Sequence, residues 1–258
     1  MSQKVAFIGL GNMGYPMASH VSASGYPINV FNRTTEKAAK WCNEHSGQAS
    51  HSPSEAAQSA DIILICVGKD QDVLDIMTGD DGILSSVKKG AVIVDHTTTS
   101  AQLAKDMAGL CETKGVHFID APVSGGQAGA ENGQLAVMAG GHQQTLDRVL
   151  SILNCYSRVV TLMGPTGSGQ LCKMVNQISV TGVLQSLSEA VNFAQKAELD
   201  IEKVFSTLSQ GAAGSWQMAN RSNTMAQNEF DFGFAIEWMI KDLAIALKKV
   251  SGSTLLYR

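Results

Sequence analysis

Short runs rich in Val, Ile and Leu alternate with longer amphipathic stretches through the first part of the chain. Val5–Ile8, Ile28–Phe31, Ile62–Val67, Val92–Asp95 and His117–Asp120, then Leu135–Ala139 and Val159–Leu162, have the length and β-branched content of strands. Between them, Met13–Ser24, Thr35–Glu44, Gln102–Thr113 and Gln144–Leu153 space their apolar residues as helices do, leaving positions such as Asp147 for water. Alternating strands and helices predict a parallel sheet with helices on both faces. The strand signal stops near Gly169. Gly169–Ala197 reads as one long proline-free helix, apolar on more than one face, which predicts burial by a second domain or a partner subunit. Glu202–Ser209, Trp216–Ala226 and Ile236–Val250 continue as helices. The Gly/Pro/Ser-rich stretch Met163–Gly169 separates the two regimes. The predicted architecture is α/β over residues 1–163 and all-helical over 164–258, with the long helix opening the second domain.

Composition narrows the class. Apolar residues make up 44% of the 258 and charged residues 16%, which suits a globular core. The net charge is −4 and no basic run exceeds Lys88-Lys89 or Lys248-Lys249, so neither a nucleic-acid surface nor a polybasic membrane anchor is expected. No stretch approaches the ~18 apolar residues of a spanning helix. Met1-Ser2-Gln3-Lys4 runs directly into a strand, which argues against a cleavable leader. The cysteines, Cys42, Cys66, Cys111, Cys155 and Cys172, are odd in number and form no Cys-x-x-Cys pair, and the histidines are scattered. Single thiols in a cytoplasmic protein without a metal site are the expectation.

Candidate chemistry begins at the first strand. Lys4–Ile8 leads into Gly9-Leu10-Gly11-Asn12-Met13-Gly14 and then a helix. Glycines at this spacing allow a tight turn, close approach of backbone to a pyrophosphate and close helix–strand packing. The helix N-terminus would add N–H groups and partial positive charge. Such a match also occurs as a structural turn, but the strand before it and the helix after it favour a dinucleotide. The second strand ends in Asn32-Arg33-Thr34, with no carboxylate to hold ribose hydroxyls. Arg33 and Thr34 could instead hold a 2′-phosphate, favouring NADP(H) over NAD(H). The alternative is that Asn32 caps the next helix and Arg33 is solvated.

Two later constellations add to this. Asp120-Ala121-Pro122-Val123-Ser124-Gly125-Gly126 follows a strand end, where ligands bind in open α/β sheets. A hydroxyl and two small residues can aim donors at a carboxylate, although the same sequence also suits an irregular loop. The second constellation runs from Gly164 to Asn176. Lys173 and Asn176 share one face of the predicted helix. A lysine and an amide on a helix are ordinarily exposed, yet Leu171, Met174, Val175 and Ile178 surround this lysine with apolar residues and suggest partial burial. Burial lowers the pKa of an ammonium and suits it to proton transfer.

These motifs together resemble the β-hydroxyacid dehydrogenases, which include 3-hydroxyisobutyrate dehydrogenase, tartronate semialdehyde reductase and the succinic semialdehyde reductases. The resemblance runs from Lys4 to about Leu247 and rests on four motifs in the family's order. They are Gly9-x-Gly-x-Met13-Gly14-x-x-Met17-Ala18, Asp120-Ala-Pro-Val-Ser-Gly-Gly126, Gly164-x-x-Gly167-x-Gly169-x-x-x-Lys173-x-x-Asn176 and Lys241-Asp242-Leu243. It implies an N-terminal Rossmann domain, a long interdomain helix and a helical C-terminal domain. It further implies that Ser124, Gly125 and Gly126 hold the substrate carboxylate, that Lys173 is catalytic and that Asn176 orients the substrate oxygen. Thr98 falls where the family contacts the cofactor near the nicotinamide, and Lys241 matches a lysine beside the cofactor. Val67 and Gly68 are counted with these cofactor contacts. Asn32-Arg33-Thr34 looks like the NADP-using members.

The expected activity is therefore hydride exchange between NADP(H) and a small β-hydroxy acid or its aldehyde partner, in a homo-oligomer, dimer or tetramer. A cofactor-binding sensor without turnover and an imine reductase are the competing readings; Lys173 at the catalytic position favours hydroxy acids over imines. Family members usually continue past the Lys-Asp-Leu helix. This chain ends at Arg258, which is expected to expose apolar surface and loosen the cleft.

Overall fold

The computed structural model describes residues 3–251. The leading Met1-Ser2 and segment 252–258, on which the expectations about a leader and a short C-terminal end bear, lie outside the described residues. The apolar runs form strands, and the register of those strands determines where every candidate loop emerges. In chain order the first elements are β1 (Val5–Ile8), α1 (Gly14–Ala23), β2 (Ile28–Phe31), α2 (Thr35–Glu44), β3 (Gln48–Ala49), α3 (Pro53–Ala57), β4 (Ile62–Ile65) and α4 (Asp70–Thr78). A 3-10 turn at Ile83–Ser85 precedes β5 (Val92–Asp95), α5 (Ala101–Thr113), β6 (His117–Asp120) and β7 (Val123–Ser124). Then come α6 (Gly126–Glu131), β8 (Leu135–Gly140), α7 (Gln143–Leu153) and β9 (Ser157–Gly164).

The sheet order is β3-β2-β1-β4-β5-β6-β8-β7, with β9 beside β8. Pairing is parallel from β3 through β6, antiparallel from β8 to β6 and β7, and parallel again from β8 to β9. Ile8 lies level with Phe31 and Ile65, Ile65 with Asp95, and Asp95 with Asp120. The carboxyl ends of β2, β1, β4, β5 and β6 thus form one edge, and the chain order reverses beside β1, where a crevice for ligands opens in such sheets.

Successive strand residues point to opposite faces. Val5, Phe7, Ile62 and Leu64 pack with Met17 and Val21 of α1, Trp41 of α2, and Val149 and Ile152 of α7. Ala6, Ile8, Ile63 and Ile65 pack on the other face with Ala56, Val73, Met77, Leu103 and Met107. Helices on both faces explain the nearly continuous apolar strands. Ser52 and Ser100 cap α3 and α5, accepting the N–H groups of Glu55 and Leu103.

The chain divides into a unit Met1–Met174 and a unit Val175–Arg258. Helix α8 (Ser168–Lys196) begins in the first and continues into the second. The second unit adds α9 (Ile201–Leu208), α10 (Trp216–Ala226) and α11 (Ile236–Ser251). Its small core joins Leu187, Val191 and Ala194 of α8 to Phe205 and Met218. Asp200 and Ser215 cap α9 and α10. No helix among the described residues is long and apolar enough to cross a membrane.

Candidate functional site

At the first turn, Gly9 has φ +100, and a Cβ on it would lie 2.2 Å from the Cys66 carbonyl oxygen. A Cβ on Gly14 would lie 1.9 Å from the Gly9 carbonyl oxygen, whereas one on Gly11 would meet no protein atom within 4 Å. Two glycines therefore close the strand–helix corner, and the third faces open space. Leu10 is buried, while Gly11 and Asn12 are exposed. Helix α1 starts after Met13 with no side-chain cap and no acidic residue in its first turn. This is the arrangement a pyrophosphate requires: backbone that can be approached closely, and a helix end without a competing carboxylate.

Asn32 serves this turn. Its Oδ1 accepts the Leu10 N–H at 2.9 Å and its Nδ2 donates to the Thr34 carbonyl at 3.0 Å. It does not cap α2, whose N-cap is Thr34, without a side-chain bond. Arg33 extends outward with its side chain 89% exposed and pairs with Asp72 at 3.6 Å. Thr34 is exposed too. After β4, the Val67 N–H donates to Thr97 Oγ1 at 3.1 Å, and Val67 and Gly68 are half-buried.

The loop after β5 is held from below and from the side. Asp95 accepts the Thr97 N–H at 2.9 Å, and complete burial pushes its carboxyl up to about 7 despite the Thr97 bonds. His96 Nδ1 lies 2.6 Å from the Ala121 carbonyl oxygen and its Nε2 lies 2.9 Å from Tyr156 Oη. A carbonyl can only accept, so Nδ1 carries the proton and Nε2 accepts from the tyrosine. Burial keeps this imidazole neutral, down to about 4, and drives the Tyr156 phenol well above its ordinary range. Gln170 of α8 is fully buried; its Oε1 accepts the Thr99 N–H at 3.0 Å and its Nε2 donates to the Thr97 carbonyl at 2.7 Å. Both neighbours of Thr98 are thereby fixed, and Thr98 itself is half-buried between them.

Ser124 closes β7, a two-residue strand on which Val123 pairs with Val137 and Ser124 with Ala136. Gly125 and Gly126 follow at φ +141 and +63, backbone conformations that favour glycine, and are exposed. Lys173 meets this segment. Its Nζ donates to the Val123 carbonyl at 2.8 Å, and the residue is 8% exposed. The apolar shell expected from its helical neighbours is not what buries it. Met174 is buried, but Leu171, Val175 and Ile178 are exposed. The lysine instead reaches across to a strand whose partner lies elsewhere in the sequence. Asp120, at the end of β6, sets the start of α8: Oδ1 accepts the Gly167 N–H at 2.7 Å and Oδ2 the Gln170 N–H at 3.0 Å. Burial raises its pKa against those bonds.

In the second unit, Asn176 Nδ2 donates to Gln177 Oε1 at 2.8 Å, and Gln177 Nε2 donates to Asp242 Oδ2 at 2.6 Å. Lys241 Nζ pairs with Asp242 Oδ1 at 3.1 Å and lies 5.8 Å from the Trp238 ring centroid. Asp242 and Gln177 are each 2% exposed. The first unit thus ties Lys173 to Val123, the residue before Ser124, and Thr97, the residue before Thr98, to the Val67 turn, and the second links Asn176 through Gln177 to Asp242 and its partner Lys241. His96, Gln170 and Gln177 went unread in the sequence as parts of these clusters.

A glycine turn at the strand where a parallel sheet reverses its order defines a dinucleotide-binding α/β protein. Known sequences place it further. The NAD-binding domain of 6-phosphogluconate dehydrogenase matches residues 4–164, and the NAD-binding domain of NADP-dependent 3-hydroxyisobutyrate dehydrogenase matches residues 167–255. An uncharacterized oxidoreductase of Shewanella frigidimarina (strain NCIMB 400) is 52% identical over 95% of this chain and 84% of its own length. The 2-hydroxy-3-oxopropionate reductase of Escherichia coli (strain K12) is 33% identical over 98% of this chain and 86% of its own. A solved 3-hydroxyisobutyrate dehydrogenase of Mycobacterium tuberculosis, with L-serine, superposes with a TM-score of 0.87 at 28% identity, covering 98% of this chain and 89% of that one. The chain belongs to the β-hydroxyacid dehydrogenases, an NAD(P)-dependent oxidoreductase family.

Proposed function

We propose that this protein interconverts a small β-hydroxy acid, of the 3-hydroxyisobutyrate type, and its aldehyde or keto partner, preferring NADP(H) to NAD(H). The observation that carries the reading is the buried Lys173 ammonium, held 2.8 Å from the Val123 carbonyl beside the Ser124–Gly126 loop. The names of the Escherichia coli and Mycobacterium tuberculosis relatives, one a reductase of an oxo acid and one a dehydrogenase of a hydroxy acid, support the substrate class.

When bound, the nicotinamide supplies or removes the hydride. The chain's residues do the rest. Ser124 Oγ and the backbone of Gly125 and Gly126 hold the carboxylate, and Asn176 orients the reacting oxygen. Lys173 gives a proton to that oxygen as the alkoxide forms, and takes it back in oxidation. Gly9–Gly14 hold the pyrophosphate, and Val67, Gly68, Thr98 and Lys241 line the rest of the cofactor. Arg33 is available to a 2′-phosphate, because its exposed pair with Asp72 is weak and easily exchanged. Exposed Val175, Ile178 and Phe193 on α8 support a homo-oligomer, which light scattering tests.

The decisive experiment follows NADPH and NADH consumption with glyoxylate, succinic semialdehyde and tartronate semialdehyde. Lys173→Ala should lower kcat by about 10²–10⁴ with cofactor binding intact, and Arg33→Ala should erode the NADPH preference. Near wild-type turnover in Lys173→Ala removes the lysine from its role. Cofactor binding without turnover across the panel refutes the enzyme reading.

A further inference from the structure

Asn176, Gln177, Asp242 and Lys241 form a hydrogen-bonded line whose polarity is set at one end. A carboxylate can only accept, so the Gln177 atom 2.6 Å from Asp242 Oδ2 must be nitrogen. The same nitrogen lies 3.8 Å from Met239 Sδ, another acceptor. Gln177 therefore turns its oxygen to Asn176, and Asn176 must answer with Nδ2, at 2.8 Å. Replace the carboxylate by a group that can donate or accept, and both amides could turn over without losing a bond. The Lys241 ammonium, 3.1 Å from the other carboxylate oxygen, matches the buried charge. Gln177 and Asp242 are both almost fully enclosed, so water does not blur the choice.

We propose that Asp242 and Gln177 are positioning residues which hold the Asn176 amide in one of its two orientations, Nδ2 toward Gln177, and so fix how it meets the substrate oxygen. The proposal rests on the reading that Asn176 orients that oxygen. Lys241-Asp242 thus links two tasks, with the lysine beside the cofactor and the aspartate, through Gln177, governing the amide.

The test is a double-mutant cycle on the full chain. Gln177→Leu removes the relay at similar volume and should slow single-turnover hydride transfer about 10- to 100-fold. NADPH affinity, read by fluorescence titration, should stay close to wild type, while Tm falls equally whether or not Asn176 is present, because Asp242 Oδ2 loses its buried donor. In an Asn176→Ala background the same change should cost less than about twofold, because the relay acts only through that amide. Equal loss of rate in both backgrounds, or full activity in Gln177→Leu, overturns the relay while leaving the assignment of Asn176 intact. Full activity in Asn176→Ala overturns the assignment itself. If Gln177→Leu does not fold, Asp242→Asn enters the same cycle. It keeps the shape and frees the polarity, and should again cost rate only when Asn176 is present.

Discussion

Replacing Asp120 by Asn keeps the shape of a fully buried side chain and changes only what it can accept. The carboxylate takes the Gly167 N–H on one oxygen and the Gln170 N–H on the other. An amide offers one oxygen, so whichever way it turns, its NH2 faces a backbone N–H. One bond is lost and a donor is left buried, worth about 1–3 kcal/mol. Loss of charge weakens the surviving bond but also removes the burial penalty that raises the Asp120 pKa, so the two offset. Relaxation is restricted: Cβ atoms built on Gly140 and Gly169 would come within 2.5 and 2.8 Å of the carboxylate oxygens, so backbone surrounds the group closely. The result is a destabilisation of about 1–3 kcal/mol with no cavity to fill. Urea unfolding of wild type and Asp120→Asn at pH 8 reads it as a lower midpoint at unchanged slope. Because the same turn carries Gln170 and leads to Lys173, kcat should fall as well. A midpoint shift equivalent to less than about 0.5 kcal/mol, with kcat unaltered, refutes the view that Asp120 holds the start of α8.

Gly14→Ala would force a methyl against the Gly9 carbonyl at 1.9 Å, and should cost about 1–3 kcal/mol together with most of the NADPH affinity, read by calorimetry. Gln170→Ala releases the backbone on both sides of Thr98, and should lower kcat about tenfold without changing the substrate panel. Asp95 gives a pH signature. Its carboxyl titrates near 7 when folded against an ordinary 3.8, so the folded state holds the proton through that window and the contribution of Asp95 to stability declines as pH rises from about 4 to about 7. Asp95→Asn should therefore gain on wild type over that rise, by up to the order of 4 kcal/mol in unfolding free energy. A pH-independent difference contradicts the assignment. The buried His96, near 4 against an ordinary 6.5, works in the opposite sense, losing stability as pH falls from about 6.5 to about 4, and His96→Gln should gain on wild type as the solution is acidified.

The strands were legible because burial on both faces leaves an unbroken apolar record, as at Ile62–Ile65. Helix α4 was not read: it opens on Asp70-Gln71-Asp72, and only Val73 and Met77 are buried. Strand β7 was not legible either. Val123-Ser124 followed by two glycines has the composition of a loop, and becomes a strand only because Val137 and Ala136 pair with it. The glycine turn could be read because its demands are local. The roles of Gln170 and Gln177 could not, since an amide on a helix carries no mark of a partner, and theirs lie 71 and 65 positions away. For Lys173 the expected burial is present and the expected reason is not. Leu171, Val175 and Ile178 are exposed, and the enclosure comes from pairing the sequence does not display. At Asn32 the two readings offered, helix cap or cofactor contact, missed its bond to the Leu10 N–H.

The acceptor that tethers the Lys173 ammonium is a main-chain oxygen. Exchanging the Val123 side chain, which points into the core, for another leaves that tether in place, because every residue carries the same carbonyl. Only moving the strand itself, as by an inserted residue before Ser124, would set the lysine adrift. On the proposed role of Lys173, Val123→Ile and Val123→Ala should therefore lower kcat far less than Lys173→Ala does.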